Sequence, residues 1–282
     1  MRKPFMLISV LPITVHISHD TDTASNRIGG IPEKYAFKNK GLRSICITDH
    51  FDKDFPSDTE FGKDAFQFDL DEYMHTMKKI QKEYEDKIHI RIGIELGLQT
   101  HLQEFYQKLT QQYPFDFVIG SVHLVDGKDP YYREGFAELS DRELYRKGFE
   151  NTLENLQHVT AFDVLGHLDY VVRYGTYKEK EYSQTEFSDI IDEILKRVIE
   201  LGKGIELNTA GWKYGLPFCN PHPDVLKRYR ELGGEIITIG ADGHKPEHIA
   251  YDFGKVNDVL KDCGFKYYTE FQDRKPIFKQ LL

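Results

Sequence analysis

Two kinds of hydrophobic pattern follow one another along the chain. Short, nearly continuous apolar runs are typical of strands buried on both faces, and apolar residues at three- and four-residue spacing indicate helices. The predicted strands are a first strand within Phe5–Ile17, then Ile45–Thr48, Ile88–Leu96, Phe115–Val122, Phe162–Leu165, Ile205–Leu207, Glu235–Ile239 and a tail strand, Lys266–Thr269. The predicted helices are Pro32–Asn39, Asp69–Asp86, Gln103–Tyr113, Ser140–His158, Thr185–Leu201, Pro223–Leu232 and Pro246–Leu260.

This alternation indicates an α/β protein with a parallel sheet covered by helices on its faces. The number of strand–helix units favours a distorted (β/α)7 barrel of the TIM-like type, and residues 1–282 read as a single domain. A doubly wound sheet is the alternative, with its site at one crevice fed by two or three strand ends. Polar residues at nearly every strand end favour the barrel.

Residues that could hold a metal follow most of the predicted strands. They are His50, Glu95, His123, His167, Asp242 and His244, with His16, His19, Asp20 and Asp22 after the first strand. Each has a simpler reading alone: a loop histidine can be a cap, a buried glutamate can pair with arginine, and an Asp-x-His is common by chance. Because parallel barrels gather the C-terminal ends of their strands at one face, the repetition predicts a metal site there.

Composition narrows the possible partners and location. The net charge of -9 and the absence of a basic cluster argue against nucleic-acid binding. No apolar run is long enough to span a bilayer, so no membrane partner is expected. Cys46, Cys219 and Cys263 are far apart and form no Cys-x-x-Cys motif. They favour a reducing, cytoplasmic location; the oligomeric state stays open.

Taken in order, the strand ends resemble the PHP family, named for polymerase and histidinol phosphatase. The matching segments are Ile47-Thr48-Asp49-His50, Gly93-Ile94-Glu95, Gly120-Ser121-Val122-His123, Gly166-His167-Leu168-Asp169, Glu206-Leu207-Asn208-Thr209 and Gly240-Ala241-Asp242-Gly243-His244. The segments 166–175 and 208–215 are most similar to the histidinol-phosphate phosphatase branch. The resemblance implies a distorted seven-unit barrel that hydrolyses a small phosphate monoester on up to three divalent metals. Carboxylates with imidazoles suit zinc, manganese or iron.

The resemblance also implies roles for single residues. Glu95 would bridge two metals, and His123 and His167 would hold the second metal. A third metal would take ligands from Asp20, His50 and His244, while Asp242 would contribute to the first. Arg173 and Lys213 would contact the substrate phosphate, and Asp169 or a loop histidine would protonate the leaving alkoxide.

The first strand departs from the family pattern. In the register set by Ser18 and Asp20, the family's Asp-x-His-x-His falls on Val10, Pro12 and Thr14, which offer no useful ligand. His16 could substitute at the strand end. The leading hypothesis is hydrolysis of L-histidinol phosphate. The alternatives are another phosphoester substrate, or an impaired relic that only binds metal or phosphate.

Overall fold

The computed structural model describes residues 42–56, 62, 64, 66–176 and 182–282. The predicted first strand and the helix Pro32–Asn39 lie outside these residues, as do Asp20, His16 and His19. The strands are β1 Ser44–Ile47, β2 His50–Phe51, β3 His89–Gly97, β4 Phe117–Ser121, β5 Val164–Leu165, β6 Gly204–Asn208, β7 Ile237–Gly240, β8 Tyr267–Gln272 and β9 Lys275–Gln280. The α-helices are α1 Leu70–Tyr84, α2 Gln103–Gln112, α3 Asp141–His158, α4 Ser188–Glu200, α5 Ala210–Lys213, α6 Pro223–Glu231 and α7 Val256–Asp262. Short 3-10 helices are Thr100–Leu102, Arg133–Phe136, Tyr170–Tyr174, Gln184–Phe187, Pro246–His248 and Phe253–Lys255.

Strands β1 to β7 form one parallel sheet. Its neighbours β1, β3, β4, β5, β6 and β7 follow chain order, and the short β2 pairs with β3 beyond the end of β1. Each crossover therefore advances in the same direction, without the reversal that a doubly wound sheet requires. The doubly wound alternative is wrong for the described strands, and the curled parallel sheet confirms the α/β, TIM-like fold class.

The strand residues are buried on both faces, as their apolar runs predict. All residues of β1, β4, β6 and β7 are buried. Helix α1 covers the sheet with a stripe of apolar side chains: Tyr73, Met74, Met77, Ile80 and Tyr84. Burying each of these contributes roughly 1.5–3 kcal/mol relative to exposure.

Capping residues mark where the helices begin. The Asp69 carboxylate accepts a 2.9 Å hydrogen bond from the backbone N–H of Glu72 at the start of α1. At α3, the predicted capping box between Ser140 and Glu143 is present in both directions. Pro223 occupies the first turn of α6, where its missing N–H costs no helical hydrogen bond.

The predicted helix Pro246–Leu260 is wrong in its first half. The segment forms two 3-10 turns, and only Val256–Asp262 is α-helical. Ala250 and Asp252 both have a φ of 52°, in the left-handed region that interrupts a right-handed helix. Alanine is the best helix former, so local propensity gave no indication of this break.

The C-terminal strand is longer than predicted and belongs to a hairpin. Strands β8 and β9 pair in antiparallel register, with Tyr267 opposite Gln280 and Gln272 opposite Lys275. The two turn residues, Asp273 and Arg274, have φ values of 49° and 61°. This is the geometry of a tight hairpin turn that glycine normally supplies, and the missing glycine concealed the hairpin in the sequence.

The hairpin covers the N-terminal end of the parallel sheet. Glu270 Oε2 lies 2.9 Å from Arg91 Nη1 at the start of β3, and Ser44 Oγ donates to Glu270 Oε1 at 3.4 Å. Phe271 stacks on Phe117 at 5.0 Å between ring centroids. These contacts close the end of the barrel opposite to the predicted metal site. Among the helices described, none is long and apolar enough to cross a membrane.

We expect Glu270→Gln to lower the free energy of unfolding by about 3 kcal/mol, because it leaves a mostly buried guanidinium without its counter-charge. Only 2% of the Glu270 side chain and 14% of the Arg91 side chain are exposed. Urea denaturation followed by circular dichroism measures the change.

The control is Glu193→Gln, which removes the charge from an exposed pair with Lys196 at 3.2 Å. We expect it to change the free energy of unfolding by less than about 0.5 kcal/mol. Equal effects of the two substitutions would contradict a structural role for the buried pair.

Candidate metal centre

The predicted metal ligands of the described chain lie at the C-terminal ends of the parallel strands. His50 is in β2 and Glu95 is near the end of β3, where the two residues are directly paired. His123 follows β4, and His167 follows β5 by two residues. Asp242 and His244 follow β7. The barrel thus brings to one end side chains that are far apart in the sequence.

Glu95 is the centre of the first group, with His50 and His123. One ligand atom from each of these three side chains lies within 4.8 Å of the others. Glu95 Oε1 is 3.2 Å from His123 Nε2, and Glu95 Oε2 is 3.5 Å from His50 Nδ1. The glutamate is fully buried, which places its carboxylate out of reach of bulk water.

His50 also belongs to a second group, with Asp242 and His244, whose ligand atoms meet the same limit of 4.8 Å. The rings of His50 and His244 stack at 5.9 Å between centroids. His244 Nδ1 lies 3.7 Å from Asp242 Oδ1. The two groups therefore share His50 and form one continuous cluster.

His167 joins this cluster from the side of β5. Its Nε2 is 3.2 Å from Glu95 Oε1, the same oxygen that faces His123. Its backbone N–H donates to Glu206 Oε2 at 3.1 Å. Among the described residues, His167 Nδ1 has no hydrogen-bond partner although the side chain is buried.

These spacings fit a metal ion. Two ligands about 2.1 Å from one tetrahedral ion lie about 3.4 Å apart, and the carboxylate–imidazole distances around Glu95 are 3.2 to 3.5 Å. Burial of so many ionisable groups is costly unless a cation or a network of partners offsets it. The described residues therefore supply a donor set that a divalent cation would fit.

Asp52 supports the cluster and was missed by the sequence analysis. Its Oδ1 is 2.6 Å from His123 Nδ1, and its Oδ2 is 3.6 Å from His50 Nδ1. A carboxylate on the second ring nitrogen orients a ligand histidine and raises its basicity. The available signal was the spacing His50-x-Asp52, which puts both side chains on one face of an extended segment, as in Asp242-x-His244.

The charges of Asp52, Glu95 and the histidines shift the pKa values of their neighbours in the cluster. Burial alone would lower the pKa of His123, but Asp52 and Glu95 outweigh it and raise that pKa well above its usual value. Burial also opposes ionisation of Asp52, yet His123 and His50 lower its pKa to about 2. Without a bound cation, Asp52 and His123 therefore each favour the charged form of the other.

Two glycines allow the close approach of these segments. A Cβ atom at Gly97 would collide with the Asp52 carboxylate, and one at Gly166 would collide with Ser121 Oγ. Gly166 does not have a positive φ. Crowding of the strand ends, and not a left-handed turn, therefore explains the glycine before His167.

Arg173 lies beside the second group. Its Nη1 donates to Asp242 Oδ2 at 2.7 Å, and its side chain is only 3% exposed. Burial opposes ionisation of Asp242, but Arg173, His244 and Lys213 hold its pKa well below the usual range. Lys213 Nζ donates to the backbone oxygen of Asp242, and to that of Ala241 at 3.4 Å. Both predicted phosphate-contacting residues thus adjoin Asp242.

Asp169 lies in a buried hydrogen-bond network with Asn220 and His222. One of its oxygens accepts from Asn220 Nδ2 at 2.6 Å and the other from the backbone N–H of His222 at 2.8 Å. Burial raises the pKa of Asp169 despite these donors. Its role as a proton donor stays a prediction. Asp20, Val10, Pro12, Thr14 and His16 lie outside the described residues, so their predicted roles stay predictions too.

The sequence analysis named Glu206 and Asn208 of β6 in a family-matching segment but assigned neither a role. Asn208 Nδ2 donates to Glu206 Oε2 at 3.0 Å, and Asn208 Oδ1 faces Arg173 Nη2 at 3.4 Å. Both residues stood out as polar positions in an apolar run, but nothing local indicated their partners. The carboxylate of Glu206 connects this strand to His167, as described above.

The fold and the cluster define a class: a parallel α/β barrel with carboxylates and imidazoles gathered at the C-terminal ends of its strands, an arrangement suited to a metal centre. Residues 15–210 match the PHP domain, and the chain belongs to the PHP family. The resemblance read from the strand ends is confirmed.

Several relatives of known name are similar over most of their length. A probable histidinol-phosphatase of Clostridium acetobutylicum is 31% identical over 252 residues, which are 89% of this chain and 93% of the relative. The histidinol-phosphatase of Lactococcus lactis subsp. lactis is 33% identical over 246 residues, 83% of this chain and 85% of the relative. A crystal structure of the histidinol phosphate phosphatase from Lactococcus lactis, complexed with zinc, L-histidinol and phosphate, has a TM-score of 0.78 at 28% identity. The match covers 94% of this chain and 99% of that one.

We expect Asp52→Asn to destabilise the chelator-treated protein most between about pH 4 and 6.5. The lowered folded pKa of Asp52 makes its contribution present above the unfolded value and lost as the pH falls. The raised folded pKa of His123 makes the contribution of the imidazolium disappear as the pH rises through it. Urea denaturation of wild type and variant across this range measures the difference.

The control is Asp54→Asn, which removes an exposed carboxylate 3.1 Å from His101 in the same segment. We expect Asp54→Asn to change the free energy of unfolding less than Asp52→Asn does, and with less dependence on pH, since solvent screens this pair. An Asp52→Asn effect that grows steadily with rising pH would contradict the assigned ion pair.

Proposed function

We propose that this protein hydrolyses L-histidinol phosphate to L-histidinol and phosphate with bound divalent metal ions. The buried carboxylate–imidazole cluster around Glu95 carries the proposal. It lies in a chain similar over 94% of its length to a phosphatase crystallised with zinc, L-histidinol and phosphate. The named relatives support the same substrate.

The proposed metal ligands are the residues whose donor atoms converge. Glu95, His123 and His167 would hold one ion, and His50, Asp242 and His244 would hold another. We propose Glu95 as the bridging carboxylate, because both of its oxygens face imidazole nitrogens. A third ion would draw on Asp20. The donor set suits zinc, manganese or iron.

Bound divalent ions supply Lewis-acid stabilisation and an activated water for attack on phosphorus. The protein's own contribution is to orient the donors. Asp52 holds the Nδ1 side of His123 and thereby turns Nε2 towards Glu95. The Glu206 carboxylate accepts a hydrogen bond from the backbone N–H of His167 and so holds the backbone of that residue.

Arg173 and Lys213 are the proposed contacts for the phosphate. Both are cations next to Asp242, so a phosphate near the second group would meet positive charge on that side. The planar guanidinium presents paired N–H donors that match phosphate oxygens, whereas lysine acts as a point charge. These groups would neutralise charge on the phosphoryl group as the ester bond breaks.

A second candidate function is metal or phosphate binding without turnover. Val10, Pro12 and Thr14 occupy the register in which the family places metal-binding residues, and this observation favours the relic. A third reading keeps the hydrolase but changes the phosphoester. Turnover of histidinol phosphate beside other phosphomonoesters separates these readings.

We expect the zinc- or manganese-loaded protein to release phosphate from L-histidinol phosphate, and Glu95→Gln to lower kcat/KM at least about 100-fold with loss of bound metal. The substitution keeps the side-chain volume but removes the charge that faces three imidazoles. Phosphate release and metal analysis on the same samples measure both effects.

The control is Glu83→Gln on the exposed face of α1, which should change neither property. A folded, metal-containing wild type without turnover of any phosphomonoester would reject the enzyme and favour the relic. Recovery of activity in Pro12→His/Thr14→His would then locate the defect in the first strand.

We expect Arg173→Lys to lower kcat/KM about 10- to 100-fold, because lysine keeps the charge but loses the paired donors. Steady-state kinetics with bound-metal analysis separates this loss from loss of metal. The control is Arg146→Lys, which alters a two-bond contact with Asp189 on the surface, at 2.8 and 3.0 Å. Equal kinetics for both variants would reject a role for Arg173 in binding the phosphate.

A further inference from the structure

A chain of buried hydrogen bonds connects Asp169 to Arg173. Asp169 Oδ1 accepts from Asn220 Nδ2 at 2.6 Å, and Asn220 Oδ1 accepts from Arg173 Nε at 2.9 Å. Asp169 and Asn220 are fully buried, and Arg173 is 6% exposed. Asp169 and Arg173 follow the same strand, β5, whereas Asn220 comes from the segment after α5. The amide of Asn220 therefore lies between a carboxylate and a guanidinium.

These two partners permit only one orientation of the Asn220 amide. A carboxylate only accepts hydrogen bonds and a guanidinium only donates them. The NH₂ group must therefore face Asp169, and the amide oxygen must face Arg173. Rotation of the amide by half a turn would place donor against donor and acceptor against acceptor.

Backbone hydrogen bonds fix the positions of both Asp169 and Asn220. The second oxygen of Asp169 accepts from the backbone N–H of His222 at 2.8 Å. The backbones of Asn220 and Asn208 exchange two hydrogen bonds, at 2.6 and 2.8 Å. The position of the Asn220 side chain is thus tied to the end of β6.

Arg173 is also held through its other nitrogens and by two aromatic rings. Nη1 contacts Asp242 at 2.7 Å and Nη2 contacts Asn208 at 3.4 Å. The guanidinium also lies 5.2 Å from the ring centroid of Tyr170 and 5.0 Å from that of Tyr214. With Asn220, these contacts use three of the five N–H donors of a guanidinium, so the terminal nitrogens retain capacity for a phosphate oxygen.

We propose that Asp169 and Asn220 are positioning residues that fix the orientation of Arg173 for the phosphate group, an inference that rests on the proposed function. Asp169 acts through Asn220, which accepts from Nε and so leaves the terminal nitrogens of the guanidinium directed at Asp242 and the phosphate site. This role differs from the proton donation expected from the sequence. Both oxygens of Asp169 serve as acceptors in this network, and the side chain is fully buried.

The network predicts a specific defect for Asp169→Asn. The new amide must keep its oxygen towards the N–H of His222, so its NH₂ group faces that of Asn220. Relief of this donor–donor contact requires Asn220 to turn, which directs its NH₂ group at Arg173 Nε. The guanidinium then loses an acceptor and meets a donor in its place.

The exchange Asp169→Asn/Asn220→Asp restores these three hydrogen bonds and reverses the direction of only the one between positions 169 and 220. The amide introduced at position 169 would donate to the carboxylate introduced at position 220. That carboxylate would accept from Arg173 Nε, and the N–H of His222 would still find an oxygen. We expect Asp169→Asn to weaken binding of inorganic phosphate to the zinc-loaded protein about tenfold. That tenfold loss corresponds to about 1.4 kcal/mol of binding free energy. The exchange should recover most of it. The affinity for L-histidinol should stay within about twofold of wild type in both variants.

Isothermal titration of phosphate and of L-histidinol measures these affinities, with zinc content and melting temperature checked for each variant. The assay needs no turnover, so it stays decisive even if histidinol phosphate is not the substrate. An inactive wild type would reject the proposed function, whereas unchanged phosphate affinity in Asp169→Asn would overturn the positioning role. If Asp169→Asn alone folds poorly, the exchange variant still tests the proposal, because it retains all the hydrogen bonds.

A double-mutant cycle with Arg173→Lys provides the second test. Because Asp169 acts through the guanidinium, Asp169→Asn should weaken phosphate binding less than about twofold when residue 173 is lysine. A full tenfold effect in that background would show that Asp169 acts independently of Arg173. Loss of kcat with unchanged phosphate affinity, without recovery in the exchange variant, would assign Asp169 to proton transfer instead.

Discussion

The buried carboxylate of Glu95 is the constraint on which the arrangement of this site depends. It is fully buried, and imidazole nitrogens from three other strand ends face its two oxygens at 3.2 to 3.5 Å. A carboxylate in such a position is stable only if cations surround it. The strands must therefore deliver His50, His123 and His167 to one point, and the glycines between them must leave room for that approach.

The two ends of the barrel use buried charge for different purposes. At the N-terminal end, Glu270 pairs with Arg91 and receives a hydrogen bond from Ser44, so this carboxylate is matched by fixed partners. At the C-terminal end, acidic groups face histidines, which can bind a metal ion in their neutral form and hold a proton without one. The paired charges of Glu270 and Arg91 stabilise the fold. The histidines at the other end can exchange a proton for a metal ion, which makes a metal centre possible. This division agrees with the distribution of stability and chemistry in barrels of this type.

Arg173 connects the carboxylate–imidazole cluster to a second group of buried polar residues. Its contact with Asp242 joins it to the cluster, while Asn220 and Asn208 accept hydrogen bonds from its other nitrogens. Polar networks of this kind require every donor and acceptor to be matched, since an unmatched buried group costs about 1–3 kcal/mol. The same requirement makes the orientation of Asn220 unique. The order of hydrogen bonds, more than the charge of any one residue, therefore determines how the guanidinium is presented.

The sequence by itself determined the order of strands and helices, the parallel sheet and most of the residues at its C-terminal end, because local hydrophobic periods and polar strand endings are properties of short segments. It failed where distant segments decide the structure: the left-handed residues Ala250 and Asp252, the hairpin turn at Asp273, and the partners of Asp52 and Glu206. Only the tertiary structure brings Asp169, Asn220 and Arg173 into one network, since their contacts span 47 to 51 residues between partners. Burial and hydrogen-bond matching act across such separations, and no local pattern records them.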